Sequence, residues 1–123
     1  MVGTNTEIKR AILLPHAKAP HLNYVGDSIL GAGVNLGAGT TTSNLKNTYG
    51  SVPLWTPEGM RDTGVQKLGT LFGDHVTTGI GLRLTTGVVP LSRGPGELPI
   101  QRVASPRKSN LSEAFGFVRL SKA

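Results

Sequence analysis

The chain contains no cysteine among its 123 residues. Disulfides, thiolate metal sites and a cysteine nucleophile are therefore excluded. Large rings are scarce too: three Phe, two Tyr and one Trp make up 5% of the residues, so the core must rest on small aliphatic side chains. No apolar run approaches the roughly 18 residues a membrane helix needs, and no signal-peptide pattern opens the chain. A cytoplasmic location without membrane contact is the expectation. Acidic residues are few, seven against thirteen Lys and Arg, for a net charge of +6. That excess lies mostly at one end. Residues 1–90 carry a net +2 and residues 91–123 a net +4. A basic tail fits contact with nucleic acid or anionic lipid. No aromatic residues alternate with the basic ones as in single-strand binders, so nucleic acid is not the expected partner.

What is abundant is Gly, with 17, and Pro, with 8. The glycines follow a pattern. Leu30-Gly31-Ala32-Gly33-Val34-Asn35 is followed by Leu36-Gly37-Ala38-Gly39-Thr40-Thr41, and Tyr24 lies six before Leu30. Downstream, Phe72-Gly73-Asp74-His75-Val76-Thr77 leads into a second and third unit with Leu82 and Val88 at the place of Val76. Near the start, Val2 precedes Ile8 by six and Leu13 precedes Ala19 by six. A period of six matches neither the 3.6 of a helix nor strand alternation. Glycine at such a density would also cost a helix about 1 kcal/mol at each position.

A triangular coil accounts for the period. Each six-residue unit supplies one short strand and one corner, three units close a coil, and successive coils satisfy each other's backbone at a spacing of about 4.8 Å. The fold class expected is all-β, a parallel β-helix of hexapeptide repeats. Such coils wind left-handed, against the usual crossover rule. Residues 2–90 form the repeat region. Within it, 45–67 break the pattern with Pro53, Pro57 and Gly59 and read as a loop thrown out from a corner. Setting them aside leaves 66 residues, eleven hexads, or between three and four coils. Residues 91–123 read as a basic tail that is irregular or disordered or carries a short helix. For the helix, Asn110 and Glu113 would cap and Leu111, Ala114, Phe115, Val118 and Leu120 would form its apolar face.

One stretch concentrates chemistry: Pro20-His21-Leu22-Asn23-Tyr24-Val25-Gly26-Asp27. With Glu7-Ile8-Lys9 before it, Val34-Asn35-Leu36-Gly37-Ala38-Gly39-Thr40 and Asn44 after it, and Gly73-Asp74-His75-Val76 further on, the chain resembles a known family. These segments are similar to the C-terminal acetyltransferase half of bifunctional sugar-1-phosphate nucleotidyltransferase/acetyltransferases, over about residues 2–89. The resemblance implies acetyl-CoA as co-substrate, an amino-sugar 1-phosphate such as glucosamine-1-phosphate as acceptor, and a homotrimer with sites between coils of adjacent copies. It implies His21 as general base, since an amine must lose a proton to become an amide. It places Lys9, Tyr24 and Asn35 on the sugar and its phosphate. Asn44 falls near the acetyl group and the coenzyme, where an amide donor would orient the thioester or steady a developing oxyanion. The Ala38 backbone falls beside the coenzyme. His16 and His75 read as solvated turn residues, and no metal site is expected.

The chain also departs from the family. The nucleotidyltransferase half is absent from this sequence, so synthesis of the nucleotide-sugar bond is not expected. Family members carry several basic residues after the Asn44 position, whereas Lys46-Asn47-Thr48-Tyr49-Gly50-Ser51-Val52-Pro53 has only Lys46. The repeats stop after Pro90, where relatives add coils or close with a short end. These departures sustain a rival reading, a non-catalytic trimerisation module or a partial remnant of a sugar nucleotidyltransferase.

Overall fold

The computed structural model describes residues 1–92 and, beyond them, the backbone of two strands at 101–104 and 115–118. The described part is all-β. In chain order its strands are β1 Val2–Thr4, β2 Glu7–Lys9, β3 Ile12–Leu13, β4 Ala19–His21, β5 Tyr24–Gly26, β6 Ile29–Leu30 and β7 Thr41–Thr42. Then come β8 Pro53–Thr56, β9 Gly59–Asp62, β10 Leu71–Phe72, β11 Arg83–Leu84, β12 Gln101–Ala104 and β13 Phe115–Val118.

Among the first seven strands, consecutive ones do not pair with each other. β1 pairs in parallel with β4, β2 with β5, and β3 with β6. All three pairs are offset by 17 residues, as in Val2↔Ala19, Glu7↔Tyr24 and Ile12↔Ile29. The chain therefore winds round three faces and returns to the first. The first face continues through Lys18↔Asn35 and Asn35↔Thr77, the second through β7 and β11, the third through β10 and Thr70↔Val88. Each face carries four rungs.

Backbone groups find their partners one rung away. Glu7 N donates to Asn23 O (2.9 Å), Lys18 N to Val34 O (2.8 Å), and Asp27 N back to Lys9 O (2.9 Å). The faces meet at corners of left-handed backbone. Asn5, Arg10, His16, Leu22 and Asp27 have φ between 46° and 65°, and Gly33 and Gly39 follow at 68° and 74°. His75, Gly81 and Gly87 repeat the pattern in the last coil. Glycine takes this conformation freely, and other residues pay for it.

The first coils are 17 residues long because one of the three sides is a residue short of six, whereas the last, from Thr70 to Val88, has the full 18. This shift corrects the hexad count at Tyr24. The inward position before Leu30 is Val25, fully buried, and Tyr24 stands half-buried on the outer side of the same strand. Inward side chains stack in columns: Ile8, Val25, Thr42 and Leu84 on the second face, Leu13, Leu30 and Phe72 on the third, and Ala17, Val34 and Val76 beside the first. The small residues reflect the narrow interior, which three faces close without room for rings beyond Phe72.

The excursion at 45–67 carries a β-hairpin. β8 and β9 pair antiparallel, with Trp55 opposite Met60. The hairpin leaves after Asn44 and returns at Lys67, closed at its base by the Leu45↔Lys67 bridge and by Leu68 N donating to Asn44 O (3.0 Å). Two strands alone are marginal in water. The hairpin is pinned by Val52, fully buried, against the last coil. Gly87 is required there, since a Cβ at that position would collide with the Pro53 carbonyl oxygen. In the tail, β12 pairs antiparallel with β13. Phe115 and Val118, expected on a helix face, are thus extended, and the rest of that expected helix lies outside the described residues.

Leu22 occupies a left-handed corner at φ 52° with 60% of its surface exposed, so its side chain contributes little packing in return for the strain. Asparagine tolerates this conformation better. Leu22→Asn is expected to raise unfolding stability by about 1 kcal/mol, read as a higher urea midpoint at unchanged slope.

Candidate active site

The predicted site residues fall on two adjoining faces. His21 ends β4 on the first face, opposite Thr4, and is exposed. Its backbone N donates to Asn23 Oδ1 (3.1 Å) and its carbonyl accepts from Gly39 N (3.0 Å), so the strand end is fixed. Its imidazole makes no hydrogen bond among the described residues. Asn35 is exposed on the same face between Lys18 and Thr77. Ala38 follows it, half-buried, its carbonyl accepting from Gly81 N (2.8 Å). Lys9 and Tyr24 lie on the second face, across the corner at Leu22, and Lys9 is exposed opposite Gly26. Asn44 sits just past β7, at the corner that ends this face.

Tyr24 and Asn44 are brought together. The Asn44 Nδ2 donates to the Tyr24 hydroxyl (3.4 Å). Gly26 makes the contact possible, because a Cβ there would stand 2.5 Å from the Tyr24 hydroxyl and 2.9 Å from Asn44 Nδ2. Within one chain, His21, Asn35 and Ala38 do not share a face with Tyr24 and Asn44.

The structure adds residues that the motif reading left without a role. Arg10, Asp27 and Asn44 stand 17 residues apart, at the same corner of three successive coils. Arg10 grips Asp27 with two hydrogen bonds, Nε to Oδ1 (2.7 Å) and Nη2 to Oδ2 (3.0 Å). Asn44 Nδ2 also donates to Asp27 Oδ2. The hydrogen bond from Arg10 holds the Asp27 carboxyl below the usual carboxylate range, against the opposing effect of partial burial. The Asn44 amide acts in the same direction, and so does the charge of Lys67 on the returning limb of the hairpin. The step of 17 was available in the sequence, but a count in sixes hides it. Lys46, the one basic residue in the first part of the hairpin excursion, donates to Ser51 O (3.1 Å) and so turns onto its own loop. His16 and His75 are both exposed, and no group of three potential metal-binding side chains occurs among the described residues. No helix there is long and apolar enough to cross a membrane.

The lowered carboxyl makes a pH prediction. Asp27 stabilises the fold fully above the ordinary carboxylate value of about 3.9, and the contribution disappears as pH falls through its depressed folded value. Wild type is therefore expected to exceed Asp27→Asn in thermal midpoint at pH 6. The gap should close as both are acidified towards pH 2. A gap independent of pH would contradict this.

No protein-family model matches the chain. Curated proteins do. A bifunctional protein GlmU of Methanococcus vannielii is 44% identical over 87 residues, 71% of this chain and 21% of its own length. A bifunctional sugar-1-phosphate nucleotidylyltransferase/acetyltransferase of Sulfurisphaera tokodaii is 38% identical over 87 residues, covering 71% and 22%. A bifunctional protein GlmU of Koribacter versatilis is 37% identical over 95 residues, covering 77% and 16%. Over most of its own length, then, the chain is homologous to one stretch of the bifunctional GlmU proteins, and it spans about a fifth of the length of the first two of these curated relatives.

Proposed function

We propose that the chain is an acetyl-CoA-dependent N-acetyltransferase unit acting on an amino-sugar 1-phosphate, wound as a left-handed coil and assembled as a cytoplasmic homotrimer. The observation that carries this reading is the meeting of Tyr24 and Asn44 at one corner, 20 residues apart in sequence. Both belong to the motif set shared with the acetyltransferase half of the family. Homology to bifunctional proteins whose names include an acetyltransferase supports it.

In this reading His21, exposed with an unbonded imidazole, accepts a proton from the sugar amine as its nitrogen attacks the thioester carbonyl carbon. A C–N bond forms, the C–S bond breaks, and the thiolate leaving group is protonated to coenzyme A. Lys9 supplies a point charge for the phosphate. Tyr24 and Asn35 hold the sugar, and Ala38 and Asn44 border the coenzyme. The division of these residues between two faces is why the assembly matters, since the first face of one copy and the second face of another together complete the set. The third face supplies a reason to associate: Ile12, Ile29 and Leu71 stand in register on its outer side, with Ile12 and Ile29 at 57% and 38% exposure. The turning of Lys46 onto Ser51 favours the rival reading, a non-catalytic trimerisation module or a remnant of a sugar nucleotidyltransferase, because it leaves the phosphate fewer cations.

Thiol release from acetyl-CoA is the test, with glucosamine-1-phosphate and galactosamine-1-phosphate as acceptors. His21→Ala is expected to reduce turnover by the ~10²–10⁴-fold a general base contributes. A folded trimer with no turnover on either acceptor would leave the assembly module as the better account. In sedimentation, wild type is expected as a trimer and Ile29→Asp as a smaller species, because a carboxylate on the apolar stripe must be desolvated on association.

A further inference from the structure

We infer that Asp27, held by Arg10, is a positioning residue that fixes which end of the Asn44 amide faces the ligand, turning its NH₂ inward and its carbonyl oxygen outward. The inference rests on the reading of Asn44 as a site residue.

A side-chain amide has two faces of opposite character, an NH₂ that only donates and a carbonyl oxygen that only accepts. An ionised carboxylate accepts and cannot donate. Asp27 is kept ionised by the two-point grip of Arg10, and its Oδ2 receives both Arg10 Nη2 and Asn44 Nδ2. The second N–H of Asn44 is directed at the Tyr24 hydroxyl. Both donors of the amide are thereby committed within the chain. Flipping the amide would set its carbonyl oxygen against Asp27 Oδ2, two acceptors face to face, and would lose a charge-assisted hydrogen bond. Meanwhile Asn44 Oδ1 receives no hydrogen bond among the described residues, and it is not among their buried unpartnered atoms. What Asn44 offers a ligand is an acceptor.

On this inference Asn44 acts otherwise than the resemblance implies. An oxyanion needs donors, and Asn44 has none to spare. Its carbonyl oxygen suits an N–H group instead. Two kinds of N–H group belong to the proposed reaction: the amine of the sugar, which an acceptor would orient for attack, and the amides of the pantetheine arm of coenzyme A. Gly26 belongs to the same device, since only a residue without Cβ leaves room for Tyr24 and Asn44 above its strand.

The amide can be observed directly. In side-chain ¹H–¹⁵N spectra of the full chain, the Asn44 NH₂ pair is identified by its loss in Asn44→Ala. It is expected to sit away from the free-amide position in wild type and to move towards it in Asp27→Asn. The same pair in wild type is expected to shift as acid protonates Asp27, whose charged and titratable neighbours are Arg10, Lys67 and Tyr24. This second measurement stands if Asp27→Asn does not fold. An Asn44 pair at the free-amide position in wild type, or one unmoved by Asp27 protonation, overturns the inference.

Kinetics then identifies the donor. With wild type active, Asp27→Asn is expected to lose roughly tenfold or more in kcat/KM, the worth of a hydrogen bond to a charged group. A rise confined to the KM of the amino sugar marks its amine as the donor. One confined to the KM of acetyl-CoA marks the pantetheine amide. No change in either overturns the positioning role. Wild type without turnover removes the acetyl-transfer reading and leaves the amide measurement to decide the orientation.

Discussion

Every feature of this molecule depends on one constraint: a strand of two or three residues can satisfy its N–H and C=O groups only on the coil above or below it. Such strands have no stability alone. Once the rungs are bonded, every side chain is locked in register with its counterpart a coil away. Inside, this produces the columns of Ile8, Val25, Thr42 and Leu84 and of Leu13, Leu30 and Phe72. Outside, it produces Arg10, Asp27 and Asn44. The same ladder that packs the core thus builds a charged column on the surface, and the candidate site grows out of that column rather than out of a separate loop.

The interior is more polar than a column of aliphatics would be. Asn23, Ser28, Thr40, Thr42 and Thr70 are all buried. Most are tied to corners. Asn23 Nδ2 donates to the carbonyls of Gly37 (2.9 Å) and Thr40 (3.2 Å) on the next coil, and Ser28 Oγ accepts from Thr70 N (2.9 Å). These side chains replace ladder bonds where the left-handed corners interrupt them, and a buried polar group is tolerated when it is so paired. Thr70 Oγ1 is the exception, buried with no partner among the described residues.

The sequence revealed the coil through its Gly-spaced aliphatics, and the positions of Leu30, Leu36, Val34, Val76, Leu82 and Val88 were legible as inward residues. Tyr24 was not, because a side one residue short moves the inward position to Val25. That shift is invisible to a count in sixes. Arg10 and Asp27 escaped for the same reason: their relation to Asn44 exists only at 17. The hairpin was hidden by Pro53 and Pro57, which speak against strands. Pro53 escapes the rule because it is the first residue of β8, where a missing N–H is tolerated. In the tail, the spacing of Leu111, Ala114, Phe115 and Val118 suited a helix face. Phe115–Val118 pairs as a strand instead, a case of tertiary partners overriding a local pattern.

The hairpin has a further meaning for how such chains compare. It enters and leaves at one corner, and the step from the second coil to the next is 42 on all three faces, as in Ile29↔Leu71, Asn35↔Thr77 and Thr41↔Arg83. The coil closes over the insertion as though it were absent. The number of rungs and the number of residues are therefore independent quantities, coupled only within a single turn. Two chains of very different length can be the same object, and the natural coordinate for placing one upon the other is height along the axis.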